Sequence, residues 1–140
     1  MRPHLVHAST IAVGDRAVLI RGAAGSGKSS LALQLMAYGA DLVADDQTAL
    51  YVEEGRLWAQ APPTIAGLIE ARGVGLLNAH SRAAPVTLVV DLDRTETQRL
   101  PALHHVSYLG LTIPCLYKVD APAWPAAILQ YLKRGRQEPQ

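Results

Sequence analysis

Phenylalanine is absent from this chain of 140 residues, cysteine occurs once, and acids and bases nearly cancel, with 13 Lys plus Arg against 12 Asp plus Glu. Each scarcity excludes something. The lone thiol, Cys115, forms no intramolecular disulfide, so a disulfide-stapled secreted scaffold is excluded and a reducing compartment is expected. A net charge of +1 lacks the electrostatic footprint of a nucleic-acid or membrane-surface binder, and neither partner is expected. Long apolar runs are missing as well. The longest stretch free of charged residues, Leu100 to Tyr117, contains Pro101, His104, His105, Ser107 and Pro114 and does not read as a membrane span. The N-terminus shows no basic start followed by an apolar stretch, so the cytoplasm is the expected location. With 49% hydrophobic residues and few aromatics, the core must be built from Leu, Val, Ile and Ala, the composition of buried parallel strands.

What the chain does have is Gly22-Ala23-Ala24-Gly25-Ser26-Gly27-Lys28-Ser29, which fits the phosphate-loop pattern G-x-x-x-x-G-K-[ST] at every fixed position. Glycines let backbone N–H groups curl around phosphate oxygens, the lysine reaches the outer phosphates, and the serine hydroxyl is placed for Mg²⁺. The context fits the motif. Ala17 to Ile20 reads as a buried strand before it, and Ser30 to Tyr38 as a helix after it, closed by Gly39. The helix dipole then points at the bound phosphates, which makes a nucleoside triphosphate the expected ligand, bound by Gly22, Ala23, Ala24, Gly25, Ser26, Gly27, Lys28, Ser29 and Ser30.

The rest of the chain is expected to be one domain over residues 1–140 with a frayed tail at about 135–140. Leu5 to Val13 and the turn Gly14-Asp15 form a hairpin with the first core strand. Asp41 to Ala44 is a short strand, and Thr48 to Val52 with Arg56 to Ala59 form a second hairpin around Glu53-Glu54-Gly55. After Pro62-Pro63, Thr64 is expected to cap a short helix over Ile65 to Ile69, while Val74 to Asn78 is too short to assign. Pro85 to Leu92 is a clear strand, Tyr108 to Ile113 and Cys115 to Val119 are a strand pair, and Trp124 to Arg134 is a terminal helix with Pro125 in its first turn.

Asp45 and Asp46 end the strand that follows the phosphate-loop helix, where ligands bind in open α/β sheets. Two acids beside a phosphate loop have two uses. One can hold Mg²⁺ and the other can take a proton from an attacking hydroxyl, against the plainer reading of a polar strand end. The hairpin turn can return His7 to the same place, although an isolated strand histidine is more commonly just hydrogen-bonded. Glu70-Ala71-Arg72-Gly73-Val74-Gly75 suits a loop that approaches a ligand closely, or equally a solvated salt link.

Taken in order, His7, the loop Gly22 to Ser29, Leu42 to Asp46 and Ile69 to Asn78 resemble the catalytic domain of HPr kinase/phosphorylase, clearly from Leu5 to Asn78 and more weakly on to Val119. The resemblance implies an α/β P-loop kinase domain related to phosphoenolpyruvate carboxykinase, with a mixed β-sheet and flanking helices. It implies a cytoplasmic, ATP- and Mg²⁺-dependent serine kinase that phosphorylates the phosphotransferase-system carrier HPr or an HPr-like protein, and a homo-oligomer, commonly a hexamer. By position, Lys28 and the loop would cradle the phosphates, with Ser29, Asp46 and Glu70 at Mg²⁺. Asp45 would be the base, His7 would assist it, and Arg72 would line the active site.

Some positions depart from that pattern. Only six residues precede His7, which resembles the shortened form of the family, without a separate N-terminal domain. Ala8 stands where glycine is common, and Ser30 where an acid is frequent. More consequential is Lys118 to Pro125, which has no arginine where the family tends to carry one for the reverse attack of inorganic phosphate. An anionic nucleophile needs a cationic subsite, so kinase activity is better supported than phosphorylase activity. A non-catalytic ATP-binding sensor is the alternative, and a small-molecule kinase the weaker third. His104, His105 and Cys115 lack a second ligand pair at zinc spacing, and Trp58 and Trp124 read as core or interface residues.

Overall fold

A computed structural model of the chain describes residues 3–138, so the expected fraying at 139–140 lies outside the described residues. Eleven strands and two helices run in the order β1 His4–Val6, β2 Ala8–Val13, β3 Arg16–Arg21, α1 Lys28–Ala37, β4 Asp41–Ala44, β5 Thr48–Glu53, β6 Arg56–Gln60, β7 Leu68–Ala71, β8 Gly75–Asn78, β9 Ala84–Thr95, β10 His104–Tyr108, β11 Leu111–Lys118 and α2 Trp124–Arg134. The large sheet is mixed, as expected. The strand β3 lies parallel to β9 and antiparallel to β2, which in turn pairs antiparallel with β4. All these strands therefore bring the carboxyl ends of β3, β4 and β9 and the start of β2 to one rim.

The long strand β9 shapes the whole. Its first residues pair antiparallel with β6 and its later ones parallel with β11, so the sheet curls where the two partners diverge. One face packs both helices: Leu31, Leu35, Ile128 and Leu132 meet Ile11, Ile20, Leu88 and Val90. The other face closes on itself around Leu19, Val43, Leu50, Leu57, Val89 and Cys115. Cys115 is 1% exposed, and burial pushes its thiol above the ordinary cysteine range, which makes it unreactive. No helix among the described residues is long and apolar enough to cross a membrane.

Two expectations need correction. Residues 65–69 are not a helix: only Pro63–Ile65 makes a 3₁₀ turn, without a side-chain cap from Thr64, and a turn at residues 66–67, with Gly67 at φ +75°, leads into the next strand. Leu68–Ala71 then pairs antiparallel with Gly75–Asn78 as a separate two-stranded sheet. Ile69 and Ala71 alternate inward with Glu70 outward, a period of two that a helix would scramble. Residues 108–113 and 115–119 are not two paired strands: Leu111–Lys118 is one strand that pairs with His104–Tyr108 across a turn at Leu109-Gly110, because Gly110 adopts φ +83° and Pro114 sits inside β11 opposite His105. Trp124 packs partly buried against the helix-side core, in line with a core role.

Candidate active site

The phosphate loop hangs between β3 and α1. Gly25 and Gly27 take φ of +80° and +100°, conformations that cost a residue with a Cβ about 1–2 kcal/mol. A Cβ on Gly22 would lie 2.6 Å from Ser26 Oγ. The first bond of α1 runs from Leu31 N–H to the Gly27 carbonyl, which leaves the N–H groups of Lys28, Ser29 and Ser30 without an intrahelical acceptor. They face an open cleft of about 310 Å³ lined by His7, Lys28, Ser29, Asp46, Glu70 and Arg72. Lys28 is 6% exposed, and its ammonium donates to the carbonyls of Gly22 at 2.9 Å and Ala23 at 3.1 Å. Such a cradle of free N–H groups around a desolvated lysine binds anions.

The two acids at the end of β4 are held in opposite ways. Asp45 is 6% exposed and accepts three hydrogen bonds: from Ser9 Oγ at 2.7 Å, from Ser29 Oγ at 2.6 Å and from Glu70 N–H at 3.0 Å. Its carboxylate thus ties β2, the phosphate-loop helix and β7 together. At Asp46 the backbone turns left-handed, φ +67°, which swings its side chain out of the strand's alternation into the cleft, 70% exposed. There His7 Nε2 lies 2.9 Å from Asp46 Oδ1. The break between β1 and β2 falls at His7 and lets its ring reach across. Asp45, with its oxygens already engaged, is a poor proton acceptor, whereas Asp46 presents free lone pairs to the cleft.

Glu70 and Arg72 stand on the β7–β8 hairpin at the far wall. Both line the cleft, and neither side chain makes an ion pair among the described residues. The hydroxyl of Ser29 directs its proton to Asp45, so its lone pairs remain open to a hard cation beside the Glu70 carboxylate. His104 stands apart from this site: it stacks on Tyr117 at 3.8 Å and bonds Glu96 at 2.8 Å.

The family profile described as HPr Serine kinase C-terminal domain matches residues 2–106, three quarters of the chain. The chain belongs to this family. The HPr kinase/phosphorylase of Caldicellulosiruptor bescii is 33% identical over 138 residues, covering 88% of this chain and 44% of that protein. That of Streptococcus thermophilus is 40% identical over 77 residues, covering 54% of this chain and 25% of its own length. A solved structure, the Hpr(Ser) kinase/phosphatase from Coxiella burnetii, superimposes with a TM-score of 0.79 at 26% identity, over 93% of this chain and 88% of that one. The chain spans between a quarter and under half of the length of these curated relatives.

Most of the expected site residues meet at the one rim, while Gly22, Ala23, Ser26 and Asp45 lie outside the cleft lining. His7, Lys28, Ser29, Ser30, Asp46, Glu70 and Arg72 line the cleft, while Asp45 lies beneath it and anchors Ser29 and the Glu70 backbone. Sequence reasoning overlooked Ser9, the second donor to Asp45, whose signal is its place two residues after His7, at the start of β2. It also overlooked Asp91 and Asp93. Their signal is a β-branched strand that ends in acids next to the phosphate-loop strand.

Proposed function

We propose that this protein is an ATP- and Mg²⁺-dependent protein serine kinase acting on HPr or an HPr-like carrier in the cytoplasm. The reading is carried by one observation, the phosphate-loop Ser29 and Asp46 lining one cleft with Asp45 bonded to Ser29 directly beneath it. We move the role of base from Asp45 to Asp46 and give Asp45 a positioning role in place of it. Asp46 is the base, oriented by His7, and Asp45 fixes Ser29. Ser29 and Glu70 are the residues that would hold Mg²⁺, which when bound neutralises phosphate charge.

The acceptor serine enters from the open side of the cleft and gives its hydroxyl proton to Asp46 while its oxygen attacks the γ-phosphorus. The bond from that phosphorus to the bridging oxygen breaks in line, and ADP leaves. Lys28 and the loop N–H groups hold the charge that spreads over the phosphoryl oxygens. Arg72, exposed on the facing hairpin, is available to the incoming acceptor. Kinase activity is favoured over phosphorylase activity, because Lys118 to Pro125 brings no arginine for a phosphate nucleophile. An oligomer is part of the same proposal and is read by light scattering.

Incubation with γ-labelled ATP, Mg²⁺ and HPr is expected to label HPr on serine. Nucleotide binding with no labelled product, across HPr and its paralogues, would sink the kinase and leave the ATP-binding sensor.

A further inference from the structure

On the side of the phosphate loop away from Asp46, the end of β9 reaches the loop itself. Asp93 Oδ1 accepts the Ala23 N–H at 2.9 Å. A protein carboxylate therefore occupies one of the backbone donors of an anion cradle. The same peptide group is fixed from its other end, since its carbonyl, that of Gly22, accepts the Lys28 ammonium at 2.9 Å, and the next carbonyl, that of Ala23, accepts Lys28 at 3.1 Å and the Ser26 N–H at 3.0 Å. Asp93 is itself held in place. Its N–H donates to Asp91 Oδ1 at 2.9 Å, and Asp91, 5% exposed, accepts Arg21 through Nε at 3.3 Å and Nη2 at 3.1 Å. Arg21 pairs in register with Asp91 across the parallel β3–β9 ladder and is the residue before Gly22. Burial opposes the charge on Arg21, but Tyr108 and Asp91 outweigh it and hold its pKa above the ordinary arginine value.

We propose that Asp93 is a positioning residue of the phosphate loop that acts in two separable ways. As an acceptor it clamps the Gly22–Ala23 peptide and so aims the Gly22 carbonyl that holds Lys28. As a negative charge it closes that end of the cradle to phosphate and weakens nucleotide binding by repulsion. The inference rests on the nucleotide-site reading above. It adds a residue that touches neither substrate nor metal.

The two actions separate by substitution. Asp93→Asn keeps a carbonyl oxygen for Ala23 N–H and removes the charge, whereas Asp93→Ala removes both. The measurement is the dissociation constant of a fluorescent ADP analogue with Mg²⁺, on full-length wild type and both variants, at low and high salt. Asp93→Asn is expected to bind several-fold more tightly than wild type, with an advantage that shrinks as salt rises. Asp93→Ala is expected to bind several-fold more weakly. Both variants within twofold of wild type, or both shifted the same way, overturns the proposal. Should Asp93→Ala fail to fold, Asp93→Asn decides alone, and unchanged or weaker binding overturns it. Wild type that binds no nucleotide condemns the nucleotide site instead, so the two failures are distinguishable.

Discussion

Asp45 and Asp46 share a composition and a place in the chain, yet one is sealed under three donors and the other stands in the cleft against His7. Substitution should separate them. Asp46→Asn is expected to retain ATP binding and lose phosphoryl transfer by about 10²–10⁴-fold, measured as kcat with HPr against nucleotide affinity by titration. Retained transfer would return the base to Asp45. Asp45→Asn removes a charged acceptor from the Ser9 and Ser29 hydroxyls, and a loss of about 1.5–3 kcal/mol in denaturant unfolding is expected, together with weaker Mg²⁺-nucleotide binding. The chemistry at this scale was readable because the phosphate loop and the paired acids are local patterns. Which acid faces the cleft was not, since it depends on the positive φ of Asp46, and Asp tolerates either hand.

At the scale of elements, strands with β-branched runs and a helix with Pro125 in its first turn were legible, because local propensity and tertiary demand agree there. They disagree at Leu68–Ala71. Thr64 and Gly73 mimic helix start and stop signals, but the strand β8 that claims this segment lies beyond the turn and leaves no local mark. Gly67 leads the chain into that hairpin at its open end, opposite Ala79, while the turn itself lies at residues 72–74. It sits at φ +75°, and a Cβ there would come within 3.0 Å of the Ala79 carbonyl, which itself accepts no relief because Ala79 N–H is bonded back to Gly67. Gly67→Ala is therefore expected to cost about 1–2 kcal/mol in a thermal or denaturant melt. It should also displace Glu70 and Arg72 and raise KM for the protein acceptor. A variant as stable as wild type would show that the turn tolerates a side chain.

For the whole molecule, the two cores lie on opposite faces of one sheet and are joined through β9, whose Val90 belongs to the helix-side core and Val89 to the other. That β9 is a buried strand was readable from its apolar, β-branched run, but the curl was not, because it arises where β9 changes partner from β6 to β11, a long-range pairing. Shared backbone pairing makes the cores one cooperative unit, whereas their side chains meet different neighbours. Ile20→Val on the helix side and Ile113→Val on the closed side should each cost about 0.5–1.5 kcal/mol. Without common packing partners the double variant should lose the sum to within about 0.5 kcal/mol, in a single transition followed alike by circular dichroism and tryptophan fluorescence. Two resolved transitions would mean that the curled half can unfold while the phosphate-loop half persists, and β9 would then be a hinge between them rather than their common support.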